Sequence, residues 1–390
     1  MNKFIQNLKD IWYVTSLEIH RICHDKAAII IFFIAGIVYP VLYSYIYNGD
    51  NLTGVPMAVV DADNSTDSKR FTRKLDATPE VDVVYRCANM EEAQDLFEHH
   101  KVHGVLYFPN DYDNKLNSLD QAYLSLYCDM GSFLYYRAVY IATNMVMLDE
   151  MRDIKLRRYS AIGMTDGQAR QLVEPVLNES VDLFNPSQGF RSFLLPIFLI
   201  LILHQTLFFG VTTLCGTAYE EGNHYIPPFI KKDSVYRVVI GRGLAYFIIY
   251  TGLSVYALLL IPPLFGLPHM GDIFTLLAFI VPFILATSFF AMTIGAFFRS
   301  REATLVMFPA FSIILLFLTG VAWPSSNIPL FWKAFSFLFP STFAVQGYVG
   351  INTMGADALQ VAPQLLGLWV QAGVYFFLSC LLLRQTVKKL

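Results

Sequence analysis

Six apolar runs, each long enough to cross a bilayer, constrain this chain more than anything else in it. They are approximately Ala27–Tyr47, Ser192–Tyr219, Gly243–Phe265, Ile273–Phe298, Ala303–Val321 and Gln364–Leu383. A hydrocarbon core of about 30 Å takes roughly 20 residues of helix. No acidic or basic side chain sits in the middle of any run. Backbone in lipid must satisfy its own hydrogen bonds, so each run is predicted to be a helix. The fold class that follows is an α-helical polytopic membrane protein with six transmembrane helices. The first run is too long for the apolar part of a signal peptide, and no A-x-A-like site follows it, so it reads as a retained helix.

Orientation follows from Lys and Arg in the short loops. Lys3, Lys9, Arg21 and Lys26 precede the first run; Lys231, Lys232, Arg237 and Arg242 follow the second. Arg299 and Arg301 separate the fourth and fifth, and Arg384, Lys388 and Lys389 end the chain. The opposite loops are nearly empty: 266–272 has none, and 322–363 has only Lys333. Both termini are therefore expected to be cytoplasmic, in a multi-pass protein of the cytoplasmic (inner) membrane. Only 15% of residues are charged, against about 25% in soluble domains. That charge gathers in residues 1–26 and 48–191, as it would if a soluble domain were inserted into a membrane protein.

Four parts result. Residues 1–26 place Phe4, Leu8, Ile11, Trp12, Thr15, Ile19 and Ile22 at helical spacing, the pattern of an amphipathic cytoplasmic helix lying in the interface. Residues 27–47 form the first membrane helix, 48–191 an extracytoplasmic domain, and 192–390 the remaining five. In the insert, Val55–Asp61, Val81–Arg86, Val102–Phe108 and Ala122–Tyr127 read as strands. Helices at Ser65–Ala77 and Glu91–His100 alternate with them, which predicts a small α/β unit with a mainly parallel sheet. From Gly131 to Arg158 the pattern is continuously helical, and a second helix covers Thr165–Val173; both are expected to form a stalk.

The chemistry motifs are missing. The chain has no G-x-x-x-x-G-K-[ST] loop, no G-x-S-x-G elbow and no H-E-x-x-H. No enzyme, metal site or nucleic-acid partner is expected. His99, His100 and His103 lie close in sequence, but Gly104 and the strand after it argue against three converging ligands. Asp61, Asp63 and Asp67 lack the EF-hand Gly and Glu and read as a turn and helix cap. Cys87 and Cys128 end the second and fourth strands. In the common order 2-1-3-4 these lie about 14 Å apart, against the roughly 7 Å a disulfide needs, so free thiols are expected and a disulfide is the alternative.

Four stretches together resemble the permease subunits of ABC-2 type exporters, in the subgroup with a large extracytoplasmic insert. They are Val59-Val60-Asp61 with Asn64-Ser65 and Ala77-Thr78-Pro79; Phe184-Asn185-Pro186 with Phe193-Leu194-Leu195-Pro196; Tyr219-Glu220-Glu221-Gly222; and Thr319-Gly320, Trp323-Pro324, Ile328-Pro329, Trp332 and Phe339-Pro340-Ser341-Thr342. The resemblance implies a permease without its own ATPase motif, coupled to separate ABC ATPase subunits that bind ATP and Mg. It also implies a second permease chain, identical or not, around a path that exports a small molecule, lipid or peptide. Membrane lipids and a periplasmic adaptor are further candidate partners. The segment 219–237, with Glu220, Glu221, Gly222, Lys231 and Lys232, would meet the ATPase together with residues 1–24. Here the sequence departs from the family: Pro227-Pro228 interrupts the usual acidic-basic-Gly-Thr run.

His204 and Gln205, polar in the middle of the second run, are candidates for the translocation path or the dimer interface, with plain interhelical hydrogen bonding the favoured alternative. The proline-broken loop 322–363 reads as short re-entrant helices. Trp323, Pro324, Pro329, Trp332 and Pro340 are candidates for an outer gate, with interfacial anchoring by the tryptophans the plainer alternative. A second reading is an ATPase-independent envelope protein whose outer domain is a binding or secretion-apparatus module.

Overall fold

The structure, a computed structural model, describes residues 2–177, 179–222, 226–227, 234–321 and 323–387. In chain order the helices and strands are α1 (Asn2–His24), α2 (Lys26–Ile46), β1 (Val55–Asp61), α3 (Thr66–Asp76), β2 (Val81–Cys87), α4 (Met90–Glu98), β3 (Gly104–Phe108), α5 (Tyr112–Asn117), β4 (Ser125–Cys128), α6 (Phe133–Ala161) and α7 (Asp166–Val173). Then come α8 (Phe190–Glu220), α9 (Tyr236–Leu264), α10 (Ile273–Gly295), α11 (Arg301–Leu318), α12 (Leu330–Ser336), α13 (Pro340–Met354) and α14 (Ala362–Val387). Two compact units result: Met1–Asp50 with Asp182–Leu390, which is helical, and Asn51–Val181, which carries the sheet.

Five helices of the first unit are long and apolar enough to span a membrane: α2, α8, α9, α10 and α14. Two bent pairs bring the number to as many as seven: α11 turns by 46° between Arg301–Met307 and Ser312–Leu318, and α12 meets α13 at 86°. The count of six from sequence lies within this range of five to seven, which apolar length alone does not narrow because it does not register a bend. The third run starts at Tyr236 rather than Gly243. Arg237 and Arg242 join the helix because carboxylates on α1 receive them.

Helix α8 is central, with 83% of its apolar window buried against 28% for α2 and α14. In lipid, burying an apolar side chain against protein exchanges one apolar contact for another, so close fit sets the helix positions. Gly210 shows this: a Cβ there would stand 2.5 Å from the Phe32 ring of α2. Near the end of α9, Pro262 cannot bond back to Leu258, and a π-helical stretch covers Tyr256–Leu260. The Leu258 carbonyl accepts instead from Tyr348 Oη of α13, at 3.2 Å. Residues 182–189 belong to this unit and not to the insert, whose expected boundary was 191. Asp50 holds them, accepting from Ser187 Oγ (2.6 Å), Ser192 N (3.0 Å) and Ser192 Oγ (2.9 Å). Burial raises the Asp50 carboxyl, but these bonds to its ionised form overcome that and lower it.

The second unit holds a four-stranded sheet in the order β2-β1-β3-β4. β1 runs parallel to β2 and β3, and β4 is antiparallel to β3. Alternate residues of β1 feed two cores. Val55, Met57 and Val59 meet Phe71 and Leu75 of α3 and Val139, Ala142 and Val146 of α6. Ala58 and Val60 meet Ala93 of α4 on the opposite face. Strand β3 begins at Gly104 rather than Val102, and β4 at Ser125 rather than Ala122. Cys87 and Cys128 end the two edge strands, and both are free thiols. His103 bonds Asp129 at 3.0 Å and stacks on Tyr135, whereas His99 bonds the Asp95 carbonyl, so the histidines go to different partners. Asp61 accepts from Asn64 N, Asp63 from Asp113 N, and Asp67 pairs with Arg70. Among the described residues no group of three or more His, Cys, Asp or Glu is placed to hold a metal ion.

Candidate functional site

Helix α1 presents two unlike faces. Phe4, Leu8 and Trp12 are exposed, while Asp10, Val14, Thr15, Glu18 and Ile22 are buried. The buried set recurs every three or four residues and so forms one stripe. It packs on α9 through Gly241, where an added Cβ would stand 2.7 Å from Val14 Cβ. Thr15 Oγ1 donates to Gly241 O at 3.0 Å, and Asp10 pairs with Arg237 at 2.5 Å. Glu18 gathers three partners: Tyr246 Oη at 2.5 Å, Arg21 at 3.0 Å and Arg242 at 3.5 Å. Arg21 reaches on to the Leu214 carbonyl of α8 at 3.0 Å. Burial raises the Glu18 carboxyl, but Arg242, Arg21 and Tyr246 outweigh it and hold the group below the usual carboxylate range. The amphipathic pattern of residues 1–24 is legible in sequence. Its ionic seam is not, because the α9 partners of Asp10 and Glu18 lie more than 200 residues away.

The ends of α1, α2, α8 and α11 converge beside this seam. Asp25 accepts from Ala27 N and Ala28 N, capping α2, and from Arg301 at 3.2 Å. Glu220 Oε1 accepts from Arg301 N at 2.9 Å and so caps α11. Gly216 lets α8 touch that turn, since a Cβ would lie 2.7 Å from the Ser300 carbonyl oxygen. Glu221 is exposed and, with His20, His24, Asp25 and Arg301, lines a cleft of about 580 Å³. Gly222 ends the helix at φ +62°, a conformation that costs glycine nothing. The three members of the acidic-Gly motif therefore do three different things: cap, line the cleft, and turn. Lys231 and Lys232 lie outside the described residues.

The two polar residues of mid-α8 part company. Gln205 accepts from Ser312 Oγ of α11 at 3.1 Å and lines a cavity of about 250 Å³ with Tyr39, Tyr43 and Phe198. His204, one residue earlier, is fully buried against Phe208 and Phe290. Neither of its ring nitrogens has a hydrogen-bond partner among the described residues. Consecutive helical positions point about 100° apart, which is why adjacent polar residues read alike in sequence and differ here.

The residues proposed for an outer gate also divide. Trp323, Pro324, Pro329 and Trp332 are exposed, whereas Pro340 is buried as the first residue of α13. At the break between α12 and α13 side chains bond three successive carbonyls, the first of which also accepts from Phe339 N at 3.0 Å. Thr342 Oγ1 donates to Ser336 O (2.7 Å), Gln371 Nε2 to Phe337 O (2.8 Å) and Tyr375 Oη to Leu338 O (2.5 Å). Gln371 and Tyr375 lie half-way along α14, so irregular backbone at that depth is covered by protein. At its far end α13 is tied to the 266–272 loop: Met270 N donates to Asn352 O, and Asn352 Nδ2 to Pro268 O.

No curated protein sequence matches the chain. The family model for ABC-2 family transporter proteins matches residues 26–381. Nearly the whole chain is covered, and it belongs to that family: a multi-pass membrane permease subunit of an ABC-type transporter, the kind that associates with an ABC ATPase.

Proposed function

We propose that this permease works as an exporter half. A second permease chain completes its path, and ATPase subunits drive it from the end where α1, α2, α8 and α11 converge. The observation that carries this reading is the union, at one end, of a cleft bearing Glu221 with an ion-paired seam that ties α1 to α8 and α9. A push on this end is passed to the membrane helices through charge pairs and capped helix ends, not through loose loops. Residues 1–24 and 219–237 form the receiving surface, with Lys231 and Lys232 as its basic part. The excess of Lys and Arg in the same loops makes that end cytoplasmic, which places Asn51–Val181 outside.

Gln205 is the better path candidate of the polar pair, since its cavity is bounded by α2, α8 and α11 and a second chain can close it. His204 acts instead as a marker of state. An unpaired buried imidazole raises the energy of this arrangement, and a conformation that gives it a partner gains by comparison. Trp323, Pro324, Pro329 and Trp332 form the rim of the outer side.

The test separates Glu221 from Glu220, because reversing Glu220 also removes its bond to the first amide of α11. In the complex of this chain with its co-purifying ATPase, Glu221→Lys should abolish transport-coupled ATP hydrolysis while membrane insertion and detergent extraction stay as in wild type. Full coupled activity in Glu221→Lys would sink the assignment.

A further inference from the structure

Helix α3 carries four cations in the run Lys69-Arg70-Phe71-Thr72-Arg73-Lys74, and these form two stripes on adjacent faces. Arg70 and Lys74 face α6 and are neutralised there: Arg70 pairs with Glu150 at 2.8 Å, and Lys74 with Asp149, Glu150 and Asp153 at 2.7–2.8 Å. Lys69 and Arg73 face the other way. With Arg86 at the end of β2 they line a cleft of about 470 Å³. Among the described residues, none of Lys69, Arg73 and Arg86 has an ion-pair partner. Lys69 Nζ and Arg73 Nε bond only backbone carbonyls, those of Asn64 and Lys69. The carboxylate in the lining, Asp61, is already engaged by Asn64 N at 2.8 Å and Ser68 Oγ at 2.7 Å.

Three further observations give this cluster direction. Residues 51–181 contain 13 Lys and Arg against 20 Asp and Glu, a net charge of −7, yet the three cations of the cleft share its lining with a single carboxylate, Asp61. Val59, Asp61, Arg86 and Cys87 are at the carboxyl ends of the parallel strands β1 and β2, the edge at which open α/β sheets bind ligands. Thr66, in the first turn of α3, also lines the cleft, which brings the positive end of that helix to it.

We propose that this cleft binds a small soluble polyanion, a molecule carrying two or more phosphate or carboxylate groups. The volume is in the range of small-molecule sites. Only Val59 and Cys87 among the lining side chains are apolar, so the cleft offers no bed for an acyl chain. Arg73 and Arg86 provide the forked donors that match carboxylate and phosphate oxygens, and Lys69 a point charge between strand and helix. The site belongs to the unit Asn51–Val181, and the proposal holds whether or not the coupling reading does.

The experiment is isothermal titration of the purified full-length chain in detergent, at low ionic strength, with inorganic pyrophosphate and separately with citrate. Saturable binding is expected, weakening as salt rises. Lys69→Gln and Arg86→Glu should each lower the affinity by roughly tenfold or more, the loss of one charge-assisted hydrogen bond. Lys101→Glu makes a charge change of the same kind just before β3, at the opposite end of the sheet, and should leave binding unchanged. All three side chains are exposed, so the variants should fold. Absence of saturable binding to either anion, or equal weakening by Lys101→Glu and Arg86→Glu, would overturn the proposal.

Discussion

Glu18 and His204 are both fully buried polar side chains, and they are opposites energetically. Glu18 has three partners, and removing it strands the rest: Glu18→Ala leaves Arg21 and Arg242 buried without their carboxylate. Breaking such a pair from one side costs about 3 kcal/mol. We expect Glu18→Ala to lower the thermal unfolding temperature in detergent by several degrees, and Glu18→Gln, which keeps a bond to Tyr246, to do so by less. His204 has nothing to lose. We expect His204→Leu to stabilise this conformation by about 1–2 kcal/mol, the cost of leaving a polar group unpaired, and to slow turnover if another state supplies the partner. An unfolding temperature below wild type would show that the imidazole is satisfied after all. Sequence ranked the two residues the wrong way round for visibility. A His in an apolar run stands out, whereas Glu18 looks like any charge on an amphipathic helix until Arg242 and Tyr246 are brought to it.

Among the elements, the α1–α9 crossing and the α3–α6 pairing depend on different physics. The first rests on contact at a glycine. Gly241→Val would drive a branched side chain into Val14 and the Ile11 carbonyl, both under 3 Å from an added Cβ. Overpacking of this kind costs about 1–3 kcal/mol, and we expect α1 to become labile to protease while the rest of the unit stays intact. The second rests on charge. Burial raises the Glu150 carboxyl, but Arg70 and Lys74 more than compensate and hold it low. A carboxyl depressed by folding gives stability that is complete above its unfolded value, about 4.3, and is lost as pH falls through the folded one. Hydrogen exchange in α3 and α6 of the full chain, corrected for intrinsic rates, should therefore loosen between about pH 5 and pH 3. In Glu150→Gln that acid step should shrink, and protection at neutral pH should already be reduced. The helices and strands of this unit were legible from periodicity and turn residues, except α5, whose six residues are too few to show a period. Their pairing was not, since Arg70, Lys74, Glu150 and Asp153 are ordinary exposed-helix charges in sequence, and only the fold decides which face each other.

For the whole molecule, apolar length revealed the spans, but it cannot say whether Leu330–Met354 crosses the membrane. Geometry offers an argument. Helix α13 has 15 residues and rises about 22 Å, short of a 30 Å core. The α12–α13 break is held half-way along α14, and the far end of α13 is bonded to the 266–272 loop, the one without Lys or Arg. A segment that enters to mid-depth and returns to that loop adds no crossing. With α2, α8, α9, α10, α11 and α14 as the six crossings, both termini share a side, and residues 110 and 326 share the other. A seventh crossing would put Thr386 opposite the amino terminus. In a background lacking the five native cysteines, single cysteines at Asn110, Ser326, Glu221 and Thr386 resolve the matter. An impermeant thiol reagent applied to intact cells should reach the first two, and the last two only after permeabilisation. Labelling of Thr386→Cys from outside would make α12–α13 a true span; it would then also place the Pro340 end of α13 in the lipid core and remove the outer rim from the transport cycle proposed here.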